Sequence, residues 1–90
     1  MPVTIRLPAS LASLAETPAI ETQAVSLGEA LLELRDRYPR LAPRVCAASG
    51  QPHSFVAFYL NAAPVRIRDG LDSRLADGDE ITIVTAIAGG

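Results

Sequence analysis

The residues with the clearest chemical potential stand at the end of the chain, Thr85-Ala86-Ile87-Ala88-Gly89-Gly90. They follow a β-type run, Ile81-Thr82-Ile83-Val84. Glycine lacks a Cβ and enters narrow or unusual backbone paths without steric cost. A terminal Gly-Gly on a short leash can therefore be threaded into another protein's slot. An extended chain advances roughly 3.3 to 3.6 Å per residue, so Ala86 to Gly90 spans about 17 Å. The plainer reading is a frayed end, because chain termini are commonly poorly ordered. The residues upstream decide between the two.

Other reactive residue types are isolated. Cys46 has Arg44 nearby but no histidine beside it in sequence, and a lone cysteine is more often a small buried hydrophobe than a nucleophile. His53 precedes a strand and lacks a sequence partner for catalysis or metal binding. Asp77, Asp79 and Glu80 surround Gly78. Asp-Gly-Asp is an ordinary turn, and the ligand count of a calcium loop is missing. No nucleophile–base pair and no phosphate loop is apparent, so the sequence predicts neither a catalytic residue nor a metal site.

The elements that must position the tail fit one domain, residues 1–90, with 85–90 as its tail. Ninety residues with a 49% hydrophobic fraction and a mean hydropathy of +0.24 can build one modest core. One cysteine excludes an internal disulfide framework. The start, Met1-Pro2-Val3-Thr4-Ile5-Arg6, lacks the basic and apolar regions of a secretory signal. No apolar run reaches membrane-spanning length. A soluble cytoplasmic protein without membrane attachment is the expectation. Net charge is −2, and all eight basic residues are scattered arginines. Nucleic-acid binding would want a dense basic stripe, so none is expected. Absence of lysine leaves no side-chain amine for an activated C-terminus to acylate, although composition bias alone accounts for it.

Val3, Ile5 and Leu7 alternate with polar residues, predicting a half-buried strand closed by Pro8. Residues 9–18 read as the loop of a wide hairpin, with a short helix as the alternative. Ile20 to Val25 is the second strand. Ser26-Leu27-Gly28-Glu29 forms a capping box in which the serine hydroxyl and the glutamate carboxylate each take the other's amide. Leu27, Ala30, Leu31, Leu34 and Tyr38 then recur at helical spacing until Tyr38-Pro39 ends the helix. Leu41 to Gln51 is a linker with a helical turn near Pro43 to Cys46. Strands follow at Ser54 to Leu60, Val65 to Ile67 and Glu80 to Val84, with Asn61 to Pro64 as a turn and Asp77-Gly78-Asp79 as another. The first and last strands carry strong alternation and should pair in parallel at the centre of the sheet. The expected core is Val3, Ile5, Leu7, Leu27, Leu31, Leu34, Val56, Phe58, Leu60, Ile81 and Ile83. The fold class is α+β: a mixed sheet with one main helix on one face.

This order, with its capped helix and Gly-Gly end, resembles the β-grasp, ubiquitin-like sulfur carriers. The resemblance rests on Phe55 to Asn61, Pro64-Val65-Arg66, Asp69-Gly70-Leu71, Leu75 to Ile83 and Ala86 to Gly90. The block L-A-D-G-D-x-[IV]-T-I followed by A-[IV]-A-G-G is specific; each half alone is weak. The His53-to-Gly90 half is most similar to carriers of the cysteine-biosynthesis type. The family also includes the small subunit of molybdopterin synthase and the thiamin-pathway carrier. A departure is Val84-Thr85, where several family members have proline.

The resemblance implies a sulfur carrier, not an enzyme, acting with partner enzymes. An E1-like activating enzyme would use ATP to adenylate Gly90, and a sulfur donor would displace AMP to leave a thiocarboxylate. The carrier itself would bind no cofactor. Gly89, Ala88 and Ile87 would be read in the partner's entry groove. The acceptor would be a PLP-dependent cysteine synthase, with a metalloprotease releasing the product, or alternatively the large subunit of molybdopterin synthase. A ubiquitin-like modifier joined to lysines is a further alternative. The outward sheet face should dock the partner, with Phe55, Tyr59 and Val84 as its patch and Arg66 and Arg68 at its rim. An aromatic and arginine cluster suits an interface core. For Phe55 the competing reading is simple cover by the 41–52 loop.

Overall fold

The computed structural model describes residues 2–49, 51–65 and 74–85. Among the described residues the elements in order are β1 (Val3–Arg6), α1 (Ala9–Ala15), β2 (Ala19–Thr22), α2 (Leu27–Arg37), α3 (Ala42–Val45), β3 (Val56–Leu60), β4 (Ala63–Val65) and β5 (Glu80–Thr85). The strands form one sheet in the order β2-β1-β5-β3-β4. β1 and β5 run parallel at its centre, as their alternation predicts, with Ile5 opposite Ile81. The remaining pairs are antiparallel. None of the described helices is long and apolar enough to cross a membrane.

Alternation fixes which face is covered. In β3 Val56 and Phe58 are buried whereas Ala57 and Tyr59 are exposed, and in β5 Ile81 and Ile83 are buried. A one-residue slip would invert this arrangement, so the predicted register holds. α2 adds Leu27, Ala30, Leu31 and Leu34 to the same core. Its start is held by Ser26, whose Oγ accepts the Glu29 amide at 3.2 Å. The return bond of the capping box, from the Ser26 amide to the Glu29 side chain, is not formed among the described residues. Glu33 and Arg37 make the i,i+4 ion pair at 3.2 Å, and Arg37 also donates to the Glu21 carbonyl at 3.0 Å. That second bond ties the helix end to β2.

Several expectations need correction. In the connection at 9–18 the alternative reading, a short helix, is the one found: it forms α1 rather than an open loop. Alanine and leucine are strong helix formers, and Leu11 is buried against the core. The helix ends at Glu16, whose φ of 61° is left-handed. β2 stops at Thr22 instead of Val25: the Thr22 hydroxyl accepts the Ala24 amide at 3.1 Å, which turns the chain and leaves Val25 exposed. β4 begins at Ala63, two residues earlier than expected, because Asn61 adopts φ 61° and shortens the turn. Asparagine tolerates this region better than most residues. Pro64 is accepted in β4 because that is an edge strand. Finally, β5 extends through Thr85, which faces Val56, so the strand takes the first residue assigned to the tail. Among the expected core residues, Leu60 is half-buried rather than buried; Ile20, Leu41 and Val45 join the core instead.

Candidate functional site: the open sheet face and the end of β5

β5 sits between β1 and β3, so the last described residue, Thr85, leaves from the middle of the sheet. β5 pairs with β1 over its first half and with β3 through Thr85, so the β3 ladder holds the position from which the tail departs. Gly90, Gly89, Ala88 and Ile87, assigned to sulfur attachment and tail recognition, lie outside the described residues. So do Arg66 and Arg68, assigned to the rim.

The face opposite α2 is open. Val84 lies opposite Ala57, and Tyr59 lies between Thr82 on one side and Pro64 on the other. Tyr59 and Val84 are thus diagonal neighbours on adjacent strands, within reach of one another. Both are exposed large side chains, at 36% and 39%. Ala57 and Pro64 extend this surface, and Arg6 and Glu80 border it with an ion pair at 2.7 Å. The patch assigned from the sequence omits Ala57 and Pro64, because small and cyclic side chains carry little interface signal.

Phe55 is placed differently. It precedes β3, is half-buried against the core, and its ring stacks on His53 at 4.9 Å with an interplanar angle of 9°. His53 Nε2 lies 2.8 Å from the Pro43 carbonyl oxygen, and the His53 amide donates to the Val45 carbonyl at 2.9 Å. The histidine therefore fastens the segment before β3 to α3. The contact favours a structural role for both rings, and Tyr59 with Val84 form the open part of the patch.

Cys46 is half-buried, and burial pushes its thiol above the usual range, with Arg35 acting in the other direction. The neutral thiol predominates at pH 7, unlike the thiolate of a reactive cysteine. The acidic turn is likewise occupied structurally. Asp79 Oδ2 accepts the Ala76 amide at 2.9 Å and Oδ1 accepts from Asn61 Nδ2 at 3.2 Å. Among the described residues, no group of three histidine, cysteine or acidic side chains is placed to hold a metal ion.

A mixed sheet with parallel central strands and a helix packed across one face defines a β-grasp, ubiquitin-like domain. Residues 5–90 match the model of the ThiS family. The chain is 35% identical over 74 residues to the sulfur carrier protein CysO of Mycobacterium tuberculosis, covering 80% of each chain. It superposes on one chain of the Amycolatopsis orientalis BexX/CysO complex with a TM-score of 0.84 at 28% identity, covering 98% of this chain and 99% of that one. SAMP1 from Haloferax volcanii shares the fold, with a TM-score of 0.84 at 24% identity and full coverage of both chains. The chain belongs to the ThiS family.

Proposed function

We propose that this protein is a sulfur carrier that acts through a thiocarboxylate at Gly90. A carboxylate is a poor electrophile. An activating enzyme would couple Gly90 to AMP, releasing pyrophosphate from ATP. A sulfur donor would then displace AMP, and the carbonyl carbon would exchange its C–O bond for C–S. A thioacid ionises readily, so the sulfur would be an anion at neutral pH and correspondingly nucleophilic. The protein's contribution is an address and a tether. Tyr59 and Val84 supply the address on the open face, Gly90 carries the sulfur, and Gly89 allows passage through a narrow entry.

The observation that carries this reading is the family match, which runs from β1 through Gly90 and so includes the tail. The 35% identity to a carrier named CysO favours cysteine biosynthesis as the destination, with a PLP-dependent synthase as acceptor. The protein would be incubated with its activating enzyme, ATP and a sulfide source. Intact mass spectrometry should show one oxygen replaced by sulfur in the C-terminal peptide. An unchanged mass with an enzyme that is active on its other carriers rejects the proposal. Lysine adducts that resist thiols, in place of the thiocarboxylate, would instead identify a modifier.

A further inference from the structure

On the side of α2 away from the sheet's open face lies a second surface feature that the carrier role does not use. α2 and the stretch running from Pro39 to Gln51 enclose a half-open groove of about 500 Å³. Small-molecule sites commonly measure ≈ 300–1,000 Å³, with mainly apolar walls and a few orienting polar groups. The walls here include Leu31, Leu32, Ala42, Val45 and Cys46. Leu32 is 54% exposed at the groove's edge.

The charge at this groove has one sign. Arg35 lines it, and none of the described lining residues is acidic. Arg35 makes no hydrogen bond or ion pair with another described residue. The Cys46 thiol opposite adds no negative charge at neutral pH, because burial keeps it protonated. A guanidinium without a partner among the described residues thus borders an apolar recess.

We infer that this groove binds an alkyl carboxylate, its chain against Leu31, Leu32, Ala42 and Val45 and its head group on the Arg35 guanidinium. Arginine presents planar paired donors that match a carboxylate. An extended peptide fits less well, since its backbone amides and carbonyls need partners that apolar walls do not supply. An alkyl chain has no such requirement.

The test uses the full-length protein and decanoate below its micelle-forming concentration, followed by methyl and amide NMR. Saturable shifts at Leu31, Leu32, Val45 and Ala47, with Ala57 and Val84 unmoved, are expected. Arg35→Glu exchanges attraction for repulsion at an exposed site and should weaken binding by about three- to tenfold. Its melting temperature should fall by a few degrees, because a glutamate in the last turn of α2 opposes the helix dipole that Arg35 favours, and should stay well above the temperature of the NMR measurement. Decanol should bind the two proteins equally. Absence of saturable shifts, shifts centred on the open sheet face, or equal decanoate affinity in Arg35→Glu overturns the inference. So does tighter occupation of the groove by a synthetic Thr85–Gly90 peptide, which would make the chain's own C-terminal sequence the ligand.

Discussion

The side chains of Asn61 and Asp79 are joined across the gap between the β3–β4 turn and the entry to β5, Nδ2 donating to Oδ1 at 3.2 Å. The Asn61 backbone and side chain also bond Glu80 in both directions, at 2.7 and 3.0 Å. This clamp fixes where β5 begins. Bonds from the Ala76 amide first, and from Asn61 second, hold the Asp79 carboxyl below its ordinary range.

That depression sets a direction for pH dependence. The charged form is favoured in the folded state, so its stabilisation is complete above the unfolded carboxylate value of about 3.9. It is lost as pH falls from there through the lower folded value. Asp79→Asn should therefore lose less stability than the wild type between pH 5 and pH 3, while being less stable at pH 7. Urea denaturation at the three pH values measures this. Equal acid sensitivity in the two proteins would show that the turn does not titrate with folding.

The contrast between Phe58 and Tyr59 tests the register and separates folding from docking. Phe58 is 1% exposed in the core and faces Ile83. Phe58→Ala should cost about 3 to 5 kcal/mol, a large share of a small domain's stability. Tyr59→Ala removes an exposed ring and should cost under about 1 kcal/mol, the span of strand propensities. With the activating enzyme the order reverses in meaning: Tyr59→Ala and Val84→Asp should raise KM about tenfold or more while leaving a folded protein, as expected for side chains central to an interface. Steady-state pyrophosphate release beside thermal melting distinguishes the two effects.

The architecture was legible wherever side-chain periodicity and chain chemistry agreed. Val56 and Phe58 alternate with Ala57 and Tyr59 clearly enough to set the register of β3. Ser26, Glu29 and Pro39 bracket α2. The missed features have local causes that periodicity does not carry. α1 is built of small residues and held mainly by Leu11, so its pattern resembles a loop. Leu41 and Val45 are buried because α3 packs against α2, a tertiary event. β4 depends on the backbone angle of one residue, Asn61. The candidate site divides in the same way: Tyr59 and Val84 followed from strand alternation, whereas the stacking of Phe55 on His53 depends on how the 46–55 segment packs.

Ser26 offers a check on the helix that closes the core. Its Oγ takes the Glu29 amide, one of the unpaired donors of the first turn. Ser26→Ala should cost about 1 kcal/mol. For a domain of this size that corresponds to a fall of about 4 to 8 °C in Tm. Ser26→Asp, which keeps an acceptor and adds a favourable charge at the helix start, should retain most of the wild-type Tm. A fall equal to that of alanine would mean the cap contributes little.

The last prediction concerns the tail. The buried part of β5 ends at Ile83 and its final pairing is Thr85 with Val56. Gly89→Ala should therefore leave stability within about 0.5 kcal/mol of the wild type, as for surface substitutions generally. Activation should nevertheless be largely lost. A methyl group at this position would clash in a narrow passage, and alanine has less access than glycine to positive φ. One residue appended after Gly90 should be equally silent in melting. It moves the reactive carboxylate by roughly 3.3 to 3.6 Å, and a misplacement of about 1 Å can already cost on the order of a hundredfold in rate. The experiment pairs thermal melting with pyrophosphate release by the activating enzyme. Unchanged release from both variants would remove the Gly-Gly end as the functional site. A large fall in Tm would instead assign the tail a structural role, and loss of release at constant Tm is the expected result.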